Sequence, residues 1–197
     1  MKNIKIIRHA ESIANAWLPT LDPVTILLSE LWKHQAQNLA DNRKNPVDLV
    51  IHSSYDRTLQ TAKPLITKYP EAKILQNELI HEFTYLDHEL CKNTTSKQRD
   101  PRKQKFREND IYYKNSLTSE SFIDLHCRAL DFTNQLHNLP DNTVIFSHQQ
   151  FIVMLLSILN SPDIIELSNN SKKALYQELQ ANPIQNTQII ELSKYIK

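Results

Sequence analysis

Three short runs of apolar residues punctuate the chain, and each gives way at once to polar ones. Residues 4–7 lead into Arg8-His9, 49–51 into His52-Ser53-Ser54, and 144–146 into Ser147-His148. Runs this short, rich in Ile and Val, predict buried strands of a parallel sheet. Residues 73–75 give a further strand, and 187–192 a late edge strand. Helical patterns lie between them. Ser29 is placed to cap a helix bearing Leu31, Gln35 and Leu39. Asp56 is placed to cap one bearing Leu59, Ala62, Leu65 and Ile66, which Pro64 should shorten or kink. After Thr118, the residues Phe122, Leu125, Ala129, Phe132 and Leu136 recur at spacings of 3, 4, 3 and 4, which makes one apolar stripe. Residues 151–159 are apolar on all sides, the pattern of a buried helix, and Ser171 can cap a shorter helix through Leu179. Alternation of strands and helices predicts an α/β fold, a three-layer α/β/α sandwich around a mostly parallel central sheet.

Residues 87–117 break this rhythm. They are polar and basic, contain Pro101 and show no clear period, so they are expected to form an insertion or lid over the site. No linker is visible, and residues 1–197 are expected to be a single domain. With 197 residues the chain can bury a core unaided. Its 23 Lys and Arg against 22 Asp and Glu leave a formal charge of +1. No global field therefore favours nucleic acid or an acidic membrane. The longest apolar run, 151–156, is too short to cross a bilayer. The opening residues lack a signal-peptide core, and Cys91 and Cys127 cannot make a disulfide framework. Both features fit a cytoplasmic location.

Glycine is absent. An average usage of about 7% predicts roughly 14 in a chain of this length. Asn stands at many apparent turns instead: Asn42, Asn138, Asn142, Asn160, Asn169 and Asn170. Asn tolerates positive φ better than most other residues. Two explanations stand: deliberate removal of glycine from a natural parent, or the compositional bias of a low-GC genome.

In open α/β sheets ligands bind beyond the carboxyl ends of the parallel strands. That rule brings Arg8, His9, Ser53, Ser54 and His148 to one rim, with Arg57 a turn further on. Two Arg and two His converging describe an anion site, because guanidinium forks match phosphate oxygens. Helices starting near Ala10 and Gln149 would add backbone N–H donors.

The residues around these positions resemble the histidine phosphatase superfamily, in its phosphoglycerate-mutase-like branch. Arg8-His9-Ala10-Glu11-Ser12-Ile13-Ala14-Asn15 is similar to the motif Arg-His-Gly-Glu-x-x-x-Asn. Ser53-Ser54-Tyr55-Asp56-Arg57-Thr58-Leu59-Gln60-Thr61-Ala62 is similar to Ser-Ser-x-x-x-Arg-x-x-Gln-Thr-Ala, with one residue fewer between Ser-Ser and Arg. Leu79-Ile80-His81-Glu82-Phe83 resembles the segment that holds the family's acid, and Phe146-Ser147-His148-Gln149-Gln150 its closing Ser-His-Gly. Asn186-Thr187-Gln188-Ile189 also looks familial. Four motifs in order are far more specific than one.

The resemblance implies phosphoryl transfer through a phosphohistidine at His9. Arg8, Arg57 and His148 would neutralise the phosphoryl oxygens, and Asn15 and Gln149 would join them in binding substrate. Glu82 would protonate the leaving group and then take a proton from water, a role that needs a raised pKa. No metal or other cofactor is implied, because the arginines supply the positive charge. Three departures bear on rate: Ala10 for Gly, Gln149 for Gly, and Trp32 where relatives often have Gly. Gln149 would be strained if its backbone needed positive φ.

Simpler readings compete at several positions. Glu11 is expected to be structural, pairing with an Arg. His81, Glu82, Asp87, His88 and Glu89 match no zinc spacing, so a metal is not expected. The basic stretch 97–107 contains Asp100 and reads as a solvated lid rather than a nucleic-acid surface. Tyr112 and Tyr113 either wall the pocket or belong to the core. Cys91 and Cys127 are expected to be bystanders, with Cys127 half-buried. The expected activity is metal-independent hydrolysis of a small phosphorylated metabolite. A mutase or a phosphohistidine-protein phosphatase is an alternative within the same chemistry. A phosphate-binding module with little turnover is the alternative outside it.

Overall fold

The structure is a computed structural model, and it describes residues 2–13, 19, 22, 24–161 and 167–196. In chain order these form β1 (Lys5–Arg8), α1 (Trp32–Asp41), β2 (Leu49–His52), α2 (Asp56–Lys68), β3 (Lys73–Gln76), α3 (Asp100–Glu108), α4 (Phe122–Leu136), β4 (Thr143–Ser147), α5 (Gln149–Asn160), α6 (Asn169–Ala181) and β5 (Ile189–Glu191). The strands make one sheet in the order β3-β2-β4-β1-β5. The first four are mutually parallel, and β5 closes the edge antiparallel to β1. Both edge strands are short, which limits pairing with other chains.

Strand parity explains the layers. Ile7, Val50, Val144 and Phe146 face one side, where they meet Ala40 of α1 and Ala62 and Leu65 of α2. Ile6, Leu49, Ile51 and Ile145 face the other, against Leu125 and Phe132 of α4, Phe151 and Ile152 of α5 and Leu175 of α6. Alternate residues of one strand thus serve two helical layers, and each fully buried Ile contributes roughly 1.5–3 kcal/mol. The three-layer α/β/α sandwich expected from the alternation is the observed fold.

Several local expectations are corrected. Ser29 does not cap α1: its Oγ donates to Glu11 Oε1 at 2.6 Å, and Leu31 precedes the helix without a side-chain cap. Glu11 therefore pairs with Ser29 in place of the expected Arg. Asp56 is the first residue of α2 rather than its cap, and Pro64 does not end that helix, which runs on to Lys68. The cap of α6 is Ser168, joined to Ser171 in a reciprocal capping box. No helix begins at Ala10 within residues 10–13; Ser12 instead bridges Leu28. Residues 151–155 of α5 are buried, but Ser157 and Asn160 are exposed. Cys127 is exposed, while Cys91 is buried. Of the six Asn singled out at turns, Asn142 alone has positive φ, at 57°; the other positive-φ residues described are Asn93 and Thr187.

Residues 87–117 are more ordered than their composition predicts. Pro101 sits in the first turn of α3, where its missing N–H removes no helical bond. Phe106 of α3 is fully buried against Phe83, Tyr85 and Tyr113. Lys172 of α6 is 1% exposed. Its ammonium donates to the carbonyls of Phe106, Asn109 and Asp110 at 2.5, 3.1 and 3.1 Å, which ties α6 to the carboxyl end of α3. Burial pushes its pKa down to about 8.

Candidate active site

The register Arg8↔Ser147 sets β1 beside β4. The next residue of each strand is a histidine, so His9 and His148 leave the sheet at neighbouring points. Their ring centroids are 5.1 Å apart, and both are buried. The backbone at His9 is pinned from several directions. His9 N–H donates to Ser147 O at 2.9 Å, and Thr187 N–H donates to Arg8 O at 2.9 Å. Asn186 Nδ2 donates to His9 O at 2.8 Å, and Ala10 N–H to Thr61 Oγ1 at 3.0 Å.

Two partners fix the His9 tautomer. Nδ1 lies 2.6 Å from the Ala10 carbonyl, which only accepts, so Nδ1 carries the hydrogen. Arg57 Nε lies 3.2 Å from Nε2 and only donates, so Nε2 presents its lone pair. Burial, followed by the charges of Arg57 and Arg8, holds the imidazole well below the usual histidine range. His9 is therefore a neutral base with a directed nitrogen.

The surroundings are cationic and dry. Arg57 is 5% exposed at the start of α2. Burial lowers its pKa to about 10, against the opposing pull of Glu82. Its guanidinium lies 4.9 Å from the Tyr55 ring, which also meets His148 edge-on. Arg8 donates through one terminal nitrogen to Ile184 O at 2.5 Å. His148 Nε2 is 2.8 Å from Ser53 Oγ. Among the described residues, Arg8 Nε and His148 Nδ1 are buried without a hydrogen-bond partner. Unpaired buried nitrogens are rare and need an explanation, such as a ligand.

Glu82 follows a short turn after β3, and its Oε1 accepts from Phe83 N–H at 2.9 Å. Burial raises its pKa above the carboxylate range, although that N–H and then Arg57, Arg8 and Arg128 pull the other way. A cavity of about 220 Å³ opens beside it, lined among others by Tyr55, Arg57, Glu82, Arg99, Lys103 and Gln150.

Arg8, His9, Arg57 and His148 thus lie at the end of the sheet that the strand-end rule indicates, and Glu82, which only the family resemblance supplied, interacts there with Arg8 and Arg57. Asn15 lies outside the described residues. Of the two glutamines that open α5, Gln150 rather than Gln149 lines the cavity. Gln149 does not have positive φ, so the strain considered for it is absent. Tyr112 is 67% exposed and Tyr113 packs on Phe106, so neither walls the cavity; Tyr55 and Tyr85 do. Among the described residues no three His, Cys, Asp or Glu gather as a metal ion would require. None of the helices described is long and apolar enough to cross a membrane.

Sequence reasoning missed Tyr55, which falls at a free position of its motif and carries no signal. It also missed Glu120 and Arg128, whose ion pair is buried beneath the loop carrying Glu82. Thr61 and Asn186 were visible only as parts of motifs, with no hint that they hold the backbone of Ala10 and His9.

The family profile described as histidine phosphatase superfamily (branch 1) matches residues 4–175. No curated protein matches the chain in sequence. Solved structures with the same fold include three phosphatases. A mycobacterial glucosyl-3-phosphoglycerate phosphatase is 20% identical with a TM-score of 0.69, over 96% of this chain and 89% of its own. Phosphoserine phosphatase from Entamoeba histolytica, solved with 3-phosphoglyceric acid, is 19% identical with a TM-score of 0.70, over 96% and 89%. The α-ribazole phosphatase from Shigella flexneri is 22% identical with a TM-score of 0.66, over 87% and 84%. At these identities the likeness establishes the fold, while the profile covers most of the chain. The chain therefore belongs to the histidine phosphatase superfamily and is a phosphatase of that fold.

Proposed function

We propose that the protein hydrolyses the phosphomonoester of a small phosphorylated metabolite, with His9 as nucleophile and no metal. The observation that carries this reading is the state of His9: a buried, neutral imidazole with Nδ1–H fixed on the Ala10 carbonyl and Nε2 left as the lone pair. Nε2 attacks phosphorus, the ester P–O bond breaks, and Glu82 gives its proton to the departing oxygen. Water then attacks the phosphohistidine, Glu82 takes the water's proton, the P–N bond breaks, and phosphate leaves. Arg57 turns its N–H groups from Nε2 to the phosphoryl oxygens. Arg8 Nε and His148 Nδ1, which have no partner among the described residues, complete the cradle. Burial raises the pKa of Glu82, the direction that suits a group which must deliver a proton to the leaving oxygen.

Residues 87–117 act as a lid, because Arg99 and Lys103 from this segment line the cavity beside Glu82. The names of the structural neighbours, which include phosphatases of glucosyl-3-phosphoglycerate and α-ribazole phosphate, support a small metabolite as substrate. The test is release of phosphate from p-nitrophenyl phosphate and trapping of labelled phosphate on the protein. Wild type releases phosphate and carries the label on His9. His9→Ala loses at least about 10³-fold in rate and all label. Label mapped to another residue would overturn the mechanism.

A further inference from the structure

The Arg128 guanidinium of α4 forms two bonds to Glu120, Nε to Oε1 at 2.6 Å and a terminal nitrogen to Oε2 at 3.1 Å. Its other terminal nitrogen donates to the carbonyls of Leu79 and His81 at 2.7 and 2.9 Å. Glu120 Oε2 meanwhile accepts from Thr84 N–H and Thr84 Oγ1 at 2.8 and 3.0 Å. Glu120 N–H closes the arrangement by donating to Thr84 O at 2.9 Å. Glu82 lies between these anchors. The loop that presents it is gripped at residues 79 and 81 on one side and at 84 on the other.

The pair is nearly dry, with side chains 10% and 15% exposed. Burial pushes Glu120 upward, but the bonds and charge of Arg128 and the Thr84 N–H outweigh it and leave Glu120 below the usual carboxylate range. A buried ion pair is weak grounds for stability, since apolar residues of equal volume often serve as well. Directed hydrogen bonds to chosen backbone atoms are what an apolar pair does not provide. Here the bonds that the two side chains make to backbone among the described residues fall on Leu79, His81 and Thr84, the segment that carries Glu82.

We propose that Glu120 and Arg128 are positioning residues that clamp both sides of the 79–84 loop and so aim the Glu82 carboxyl at the leaving-group oxygen. The inference rests on Glu82 acting as the acid, and the test separates the two. A mis-aimed acid harms esters whose leaving group needs a proton far more than esters whose leaving group departs as a stable anion. A merely structural lesion lowers both alike.

The experiment compares kcat/KM on glycerol phosphate, a poor leaving group, with p-nitrophenyl phosphate, a good one. Glu82→Gln should lose at least about 10²-fold more on the first than on the second. Arg128→Met and Glu120→Gln should show the same bias at about tenfold or more, because a displacement near 1 Å costs up to about 10²-fold. Glu120→Gln keeps shape and volume, so it answers the question even if Arg128→Met fails to fold. Equal losses on both esters in Glu120→Gln, alongside a biased loss in Glu82→Gln, overturn the clamp alone. No bias in Glu82→Gln overturns the acid assignment and the clamp with it.

Discussion

Thr187 adopts φ of 58°, a conformation that a β-branched side chain disfavours. The strain is held by the surroundings: Thr187 N–H is bonded to Arg8 O, and Asn186 before it is bonded to His9 O. The turn therefore serves the backbone of His9, the proposed nucleophile, at a local cost of about 1–3 kcal/mol. In a chain without glycine, two of the three positive-φ residues described are Asn, which bears that geometry more easily. Thr187→Gly removes the Cβ clash and keeps the backbone bonds. It should raise stability by about 1 kcal/mol, a melting shift of about 2–4 °C for a chain of this size. A melting temperature equal to or below that of wild type would show that the Thr187 hydroxyl bond to Asn186 O outweighs the strain.

At the scale of elements, α3 shows where sequence stops being informative. The parallel strands were legible because short Ile and Val runs leave few alternatives, and α4 because its apolar stripe spans four turns. The rim was legible because reactive residues follow those strands directly. In α3, by contrast, Phe106 is the one buried residue, so no periodicity announces the helix. What anchors it is Lys172, 66 residues from Phe106. The clamp on the Glu82 loop was hidden for the same reason, as its partners meet only after α4 packs beneath residues 79–84. Lys172→Met keeps the apolar stem but removes the ammonium from the carbonyls of Phe106, Asn109 and Asp110, of which Asp110 O keeps a long bond from Tyr113 N–H at 3.4 Å. An unsatisfied buried acceptor costs about 1–3 kcal/mol. Lys172→Met should thus lower the urea midpoint by the equivalent of a few kcal/mol, with amide protection lost first over residues 100–110. Unchanged protection there would show that Phe106 packing alone secures α3.

At the scale of the whole molecule, the site sets the direction in which acid acts on stability. Burial comes first among the causes that lower His9, His81 and His148 below the ordinary value of 6.5, and the charge of Arg57 or Arg128 comes next. Below that value the unfolded chain binds protons at these three positions that the folded chain refuses. Stability therefore falls as pH drops through about 6.5 toward the lowered folded values. Glu82 acts in the opposite sense. Its raised pKa means that the folded state binds a proton the unfolded state lacks, so acidification favours folding through this group. Three histidines against one carboxyl leave a net loss in acid. The melting temperature should decline from pH 7 to pH 5, and the decline should be steeper in Glu82→Gln, which removes the opposing group. Glu82→Gln should also melt higher than wild type at pH 7, because the unfolded chain carries Glu82 ionised there and folding must either protonate it or bury its charge, whereas an amide needs neither. A wild-type melting temperature that is flat or rising over this interval would mean that the histidines gain protons in the folded protein. His9 would then not be the neutral base on which the proposed chemistry depends.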